Sequence, residues 1–87
     1  MTITTSKQLA ELLGEAWEPR TIYDKAGCYG AATQGFAVWG SGTSWAAALG
    51  MFVVHGCDSP RAAVLALADK LEAEARALRD SVRKEGP

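Results

Sequence analysis

From Ala26 to Cys57 the chain carries no Asp, Glu, Lys or Arg, and this 32-residue stretch holds seven of its nine glycines. All the charges lie in the flanks, at 7–25 and 58–85. An uncharged middle punctuated by glycine, between two charged flanks, reads as short strands and tight turns framed by helices. The first strand is Thr21-Ile22-Tyr23 or Tyr29 to Thr33. Gln34-Gly35 is a turn, and Phe36-Ala37-Val38-Trp39 is the second strand. Gly40-Ser41-Gly42 is a second turn. A third strand runs through Ala46–His55, clearest at Met51 to Val54. Trp45, Leu49 and Phe52 also fit one helical face, so residues 44–54 have a helical alternative. Packing favours the strand: Ala46, Ala48 and Gly50 then line one face, and a row of small residues lets a helix approach closely.

The flanks read as helices. Thr5 and Gln8 have capping-box spacing, in which hydroxyl and amide each satisfy an orphan backbone N–H. Leu9, Leu12, Leu13 and Ala16 or Trp17 make an apolar stripe. Gly14 ends this helix or is tolerated within it, and Pro19 stops it by Trp17. At the other end Ser59 is an N-cap and Pro60 occupies N1, where its missing N–H costs nothing. Asp58 adds negative charge near the positive helix end. No breaker follows before Gly86-Pro87. Val64, Leu67, Ala68, Leu71, Ala75, Leu78 and Val82 share one face, and Glu72–Arg76 and Asp80–Lys84 are i,i+4 pairs in the favoured order. This helix is longer than so small a domain is wide, so its last turns project or pack on another chain.

The expected architecture is α+β in a single domain, 1–87. It has an N-terminal helix at about 5–16 and a three-stranded antiparallel meander within about 21–56. A long helix follows at about 59–84, and both helices lie on one sheet face. With a helix at 44–54 the result is a two-stranded sheet and three helices.

Size and charge exclude several functions. At 87 residues the chain has no room for a multidomain enzyme. Nine basic residues against ten acidic ones give none of the basic excess that phosphate binding requires. Cys28 and Cys57 are too few for a disulfide scaffold and fit a reducing cytosol. The N-terminus has no signal-peptide blocks. The apolar run Trp45–Val54 is half the length of a membrane span. A cytoplasmic protein without cofactor or membrane contact is expected.

Residues Ser6 to Gly14, followed by Pro19-Arg20-Thr21-Ile22-Tyr23, resemble the helix-turn-helix of excisionase-type phage proteins. The resemblance implies a small DNA-binding regulator. Here the turn is about two residues longer than that motif uses, and Asp24 and Lys25 replace its basic recognition helix. Gly40-Ser41-Gly42-Thr43-Ser44 is similar to the turn before the last helix of double-stranded-RNA-binding domains. Trp45, Ala46 and Ala47 stand where those domains carry lysines. The same glycines make no phosphate loop, because no Gly-Lys-Ser/Thr follows.

His55 and Cys57, joined by Cys28, are the one metal-type set, without paired Cys-x-x-Cys spacing; no metal is expected. Cys57 with His55, or Ser41 or Ser44 with His55 and Asp58, are the nucleophile sets. Neither brings an oxyanion hole or a substrate pocket, so no catalytic residue is assigned. Glu72 and Glu74 lie on different helix faces and are solvated.

The aromatics are the remaining candidates. Trp17, Trp39 and Trp45, with Tyr23, Tyr29, Phe36 and Phe52, are too many rings for one face of a small sheet. With a three-residue loop at Ser41–Thr43, Trp39 and Trp45 sit across from each other; with two residues they fall on opposite faces. A second sheet face without charge implies a surface that meets another protein.

The whole chain resembles small accessory proteins of bacteriophages and mobile elements, anti-CRISPR proteins among them. Architecture carries the resemblance, together with the helix opening Asp58-Ser59-Pro60-Arg61-Ala62-Ala63-Val64-Leu65-Ala66-Leu67-Ala68. It implies a non-catalytic inhibitor in the host bacterial cytosol that occludes a host complex of CRISPR type, or pairs with itself as a homodimer. The expected contacts are Tyr29, Trp39, Trp45, Glu72, Arg76, Arg79, Asp80 and Arg83.

Overall fold

The first helix, α1 (Ser6–Leu13), starts at Thr5, whose extended backbone is that of an N-cap. Its hydroxyl accepts the Gln8 N–H at 3.1 Å, as the capping spacing requires. The reciprocal half of the box is displaced by one residue. Gln8 Oε1 accepts from the N–H of Thr4 at 2.7 Å and from its hydroxyl at 2.9 Å, rather than from Thr5. The helix ends at Leu13, three residues short of expectation, where Gly14 donates its N–H to Ala10 O at 3.0 Å. The fold as a whole is a computed structural model that describes residues 3–85; the side chains of Tyr23 and of residues 83–85 fall outside that description.

Five strands follow, not three: β1 (Glu18–Arg20), β2 (Tyr29–Thr33), β3 (Phe36–Ser41), β4 (Ser44–Leu49) and β5 (Phe52–Cys57). They form one antiparallel meander in the order β1-β2-β3-β4-β5. A 3-10 helix, Thr21–Ala26, connects β1 to β2, so Thr21-Ile22-Tyr23 is not a strand and Tyr29–Thr33 is. The expected third strand is in fact a hairpin. Leu49 pairs with Phe52, and Gly50, at φ 58°, turns the chain between them. A two-residue loop with glycine first suits the right-handed twist of paired strands. The helical alternative for 44–54 is thereby excluded. β1 escapes the sequence pattern because it is short, charged and contains Pro19. It occupies the sheet edge, where a proline breaks no ladder on its outer side.

The long helix, α2 (Pro60–Glu85), matches its expected bounds. Ser59 Oγ accepts the Ala62 N–H at 3.1 Å and so caps it. Both helices pack on one face of the sheet, α1 over β1 and β2 and α2 over β3, β4 and β5. The core between them is Leu9, Ala10, Ala31, Val38, Trp45, Ala47, Ala63 and Leu67. Ala47 admits α2, whose own Ala63 is fully buried against the sheet, and Ala31 lies on β2 under α1. Ala46 and Ala48 lie on the opposite face.

α2 outruns this core. Its side chains are buried or half-buried at Pro60, Ala62, Ala63, Val64, Ala66, Leu67 and Leu71, and exposed from Glu72 to Val82. The described molecule measures 54 × 22 × 19 Å with a radius of gyration of 15.3 Å, against about 12 Å for a compact chain of this length. The excess is the second half of α2, a stem standing out past the end of the sheet that carries the β2–β3 and β4–β5 turns.

Candidate functional site

The β3–β4 hairpin decides which tryptophan meets solvent. Ser41 pairs with Ser44, so the loop between them is the two residues Gly42-Thr43. Trp39 then falls opposite Ala46, and Trp45 opposite Gly40, on the other face. Trp45 is 2% exposed among the helices, with its indole N–H donated to Gly42 O at 2.8 Å. It is a core residue and not a contact. Trp39 is 38% exposed on the face without helices.

That open face is built almost wholly from small and apolar side chains. Ala32 pairs with Ala37, Ala37 with Ala48, and Ala48 with Val53. Val53 is itself 38% exposed. In the next row Arg20 pairs with Gly30, Gly30 with Trp39, and Trp39 with Ala46. With alanine and glycine on either side, the Trp39 ring stands above its surroundings. A hollow lies on each side of it. One, of about 700 Å³, is lined by Glu18, Arg20, Ala32, Ala37 and Trp39. The other, of about 490 Å³, is lined by Cys28, Trp39, Ala46, Val53 and His55.

The face is not free of charge, as the sequence pattern implied. β1 adds Glu18 and Arg20 along one edge. Edge charge and Pro19 guard that side against strand addition. The opposite edge, β5, contains no Asp, Glu, Lys or Arg.

The other sequence candidates are dispersed. Tyr29 is half-buried and packs against the core on the helix side. Glu72, Arg76, Arg79 and Asp80 are exposed along the α2 stem, far along the chain from the sheet face. Arg83 is on the same stem, with its side chain outside the described residues. His55 and Cys57 do not point the same way. The register slips between Trp45 and Ala47, where Trp45 pairs with Cys57 and Ala47 with Val54, and Gly56 takes φ 73°. This bulge turns Cys57 toward the core while His55 remains on the open face. Among the described residues no three His, Cys, Asp or Glu side chains come together as a metal site. Ser41, Ser44 and His55 border one hollow, which Asp58 does not line.

Residues 6–23 fold as α1, β1 and the start of the 3-10 helix. Among the described residues no second α-helix stands where a helix-turn-helix places its recognition helix. No helix is long and apolar enough to cross a membrane among the residues described. Searches against protein-family models, curated proteins and solved structures return no match for this chain.

Proposed function

We propose that the protein is a non-catalytic binding module that docks another protein through the open face of its sheet, with Trp39 as the central anchor. The supporting observation is the exposure of Trp39 in the middle of an alanine and glycine floor, between two hollows. Tryptophan is enriched among residues that carry binding energy, and such residues cluster at the centre of an interface. Alanines around it leave room for side chains of the partner. Arg20, Glu18 and His55 form a polar rim at the two edges, the arrangement of a protein interface rather than of a phosphate-binding one.

The finer reading follows the resemblance to phage accessory proteins of the anti-CRISPR kind: the partner is a host complex of CRISPR type, and binding occludes its working surface. For the alternative, a small DNA-binding regulator, the described residues offer neither a basic face nor a recognition helix.

The deciding experiment offers purified CRISPR effector complexes to the wild-type chain and to Trp39→Arg in a binding assay. Circular dichroism confirms that the variant is folded. Retention of one stoichiometric partner by the wild type, lost in the variant, supports the reading. Equal retention by both removes the open face from the mechanism. A salt-sensitive shift of duplex DNA would favour the alternative.

A further inference from the structure

The α2 stem is a second, independent surface. Leu71, Ala75, Leu78 and Val82 lie on one line along it, at i, i+4, i+7 and i+11. Leu71 is half-buried at the root, whereas Leu78 is 68% and Val82 65% exposed. Helix propensity accounts for Leu71, Ala75 and Leu78 as residue types, but not for valine at 82, a poor helix former, nor for the exposure of Leu78 and Val82 along one line.

Charges flank the stripe: Glu72 and Glu74 toward the root, and Arg79 toward the tip. At 100° per residue, Glu72 and Arg79 fall on the same flank of the stripe, two turns apart. In a parallel copy tip would lie beside tip, and Arg79 would face Glu74 of the other chain. An antiparallel copy, related by a two-fold axis near Ala75, sets each Glu72 against the other copy's Arg79, and the pairing repeats by symmetry.

The root of the stem has a place for the other copy's tip. An apolar groove of about 510 Å³ opens there, lined by Trp17, Phe36, Val64, Leu67 and Leu71. The stripe runs out of this groove without a break. From Leu71 to Val82 is about 16 Å of helix, so in the antiparallel arrangement the tip of one stem reaches the groove of the other. We infer that the occupant of the stem is a second copy of this chain, paired antiparallel along Leu71, Ala75, Leu78 and Val82 and set in register by Glu72 and Arg79.

Light scattering on the full chain, across concentrations up to about 100 μM, tests this where a micromolar Kd populates the dimer. The expected result is a dimer. Glu72→Arg and Arg79→Glu each raise the dissociation constant about tenfold, since each reversal creates two repulsive pairs. The double variant, Glu72→Arg with Arg79→Glu, restores the wild-type value. Leu78→Asp gives a monomer whose circular dichroism still shows the folded sheet and α2 root. A wild-type chain that stays monomeric throughout overturns the inference, as does a dimer indifferent to the charge reversals or to Leu78→Asp. Trp39→Arg leaves the dimer intact, which separates this surface from the open sheet face.

Discussion

Gly40 faces Trp45 across the β3–β4 ladder, and a Cβ at Gly40 would sit 2.8 Å from the Trp45 Cα and 3.0 Å from its indole. The residue also holds φ 147°, a conformation that side chains resist. The missing Cβ lets the Ser44 carbonyl, the nearest atom of all, and Trp45 lie close against β3. Gly40→Ala must therefore both strain its own backbone and push the Ser44–Trp45 backbone away, at a combined cost of about 3 kcal/mol. Urea denaturation measures it, and a loss of stability below about 1 kcal/mol would contradict the packing described.

The two hairpin tryptophans separate cleanly in their effects. Trp45→Ala empties the centre of the core and costs about 3–5 kcal/mol, enough to unfold a domain of this size at ordinary temperature. Trp39→Ala removes a ring with open space beside it and costs about 1 kcal/mol or less. Thermal unfolding of both variants checks the contrast. Equal destabilisation would mean that Trp39 is a core residue, and the binding surface would lose its anchor.

Ser6 ties three segments together from a fully buried position. Its hydroxyl accepts the Gly30 N–H at 3.0 Å, and its single proton serves the Arg20 carbonyl at 2.8 Å or the Asp24 carboxylate. Asp24 also accepts the Ser6 N–H at 3.1 Å, so α1, β1, the 3-10 helix and β2 meet at one side chain. Ser6→Ala leaves the Gly30 N–H and the Arg20 carbonyl without this partner beside a fully buried position, at about 2 kcal/mol. A domain of this size should lose about 10 °C in Tm. An unchanged Tm would show that water replaces the hydroxyl without cost.

These three sites also show where the sequence was legible. Ser59-Pro60 and Thr5 announce the helix starts because capping is a local act, completed within three residues. The β4–β5 hairpin was hidden because Leu49, Met51 and Phe52 around Gly50 are as apolar as the strands they join; only the φ of one glycine interrupts the run. β1 was hidden for the opposite reason. Glu18, Pro19 and Arg20 have no strand propensity, and pairing with β2 alone makes them one. The site was half legible. Alternation states that Trp39 and Trp45 share or split the faces, but the choice rests on whether the Gly42-Thr43 loop has two residues or three. That same uncertainty is what puts Trp45 among the expected contacts. The Gly56 bulge, which parts His55 from Cys57, leaves no trace beyond one more glycine.

Gln34 is the one described residue other than glycine that holds a positive φ, at 46°. With Gly35 at φ 87° it forms the two-residue loop between Thr33 and Phe36, a turn that needs both central residues on the left-handed side. Glutamine has no local hydrogen bond that favours this region, whereas asparagine does, and the side chain is exposed. Gln34→Asn should therefore stabilise the protein by about 0.5–1 kcal/mol. Gln34→Val, β-branched at the same φ, should destabilise it by at least as much. Both changes are read by urea denaturation against the wild type. If asparagine lowers stability, glutamine makes a contact at the hairpin tip that its backbone conformation does not account for, and the tip would join the Trp17–Phe36 groove beside it as a functional surface.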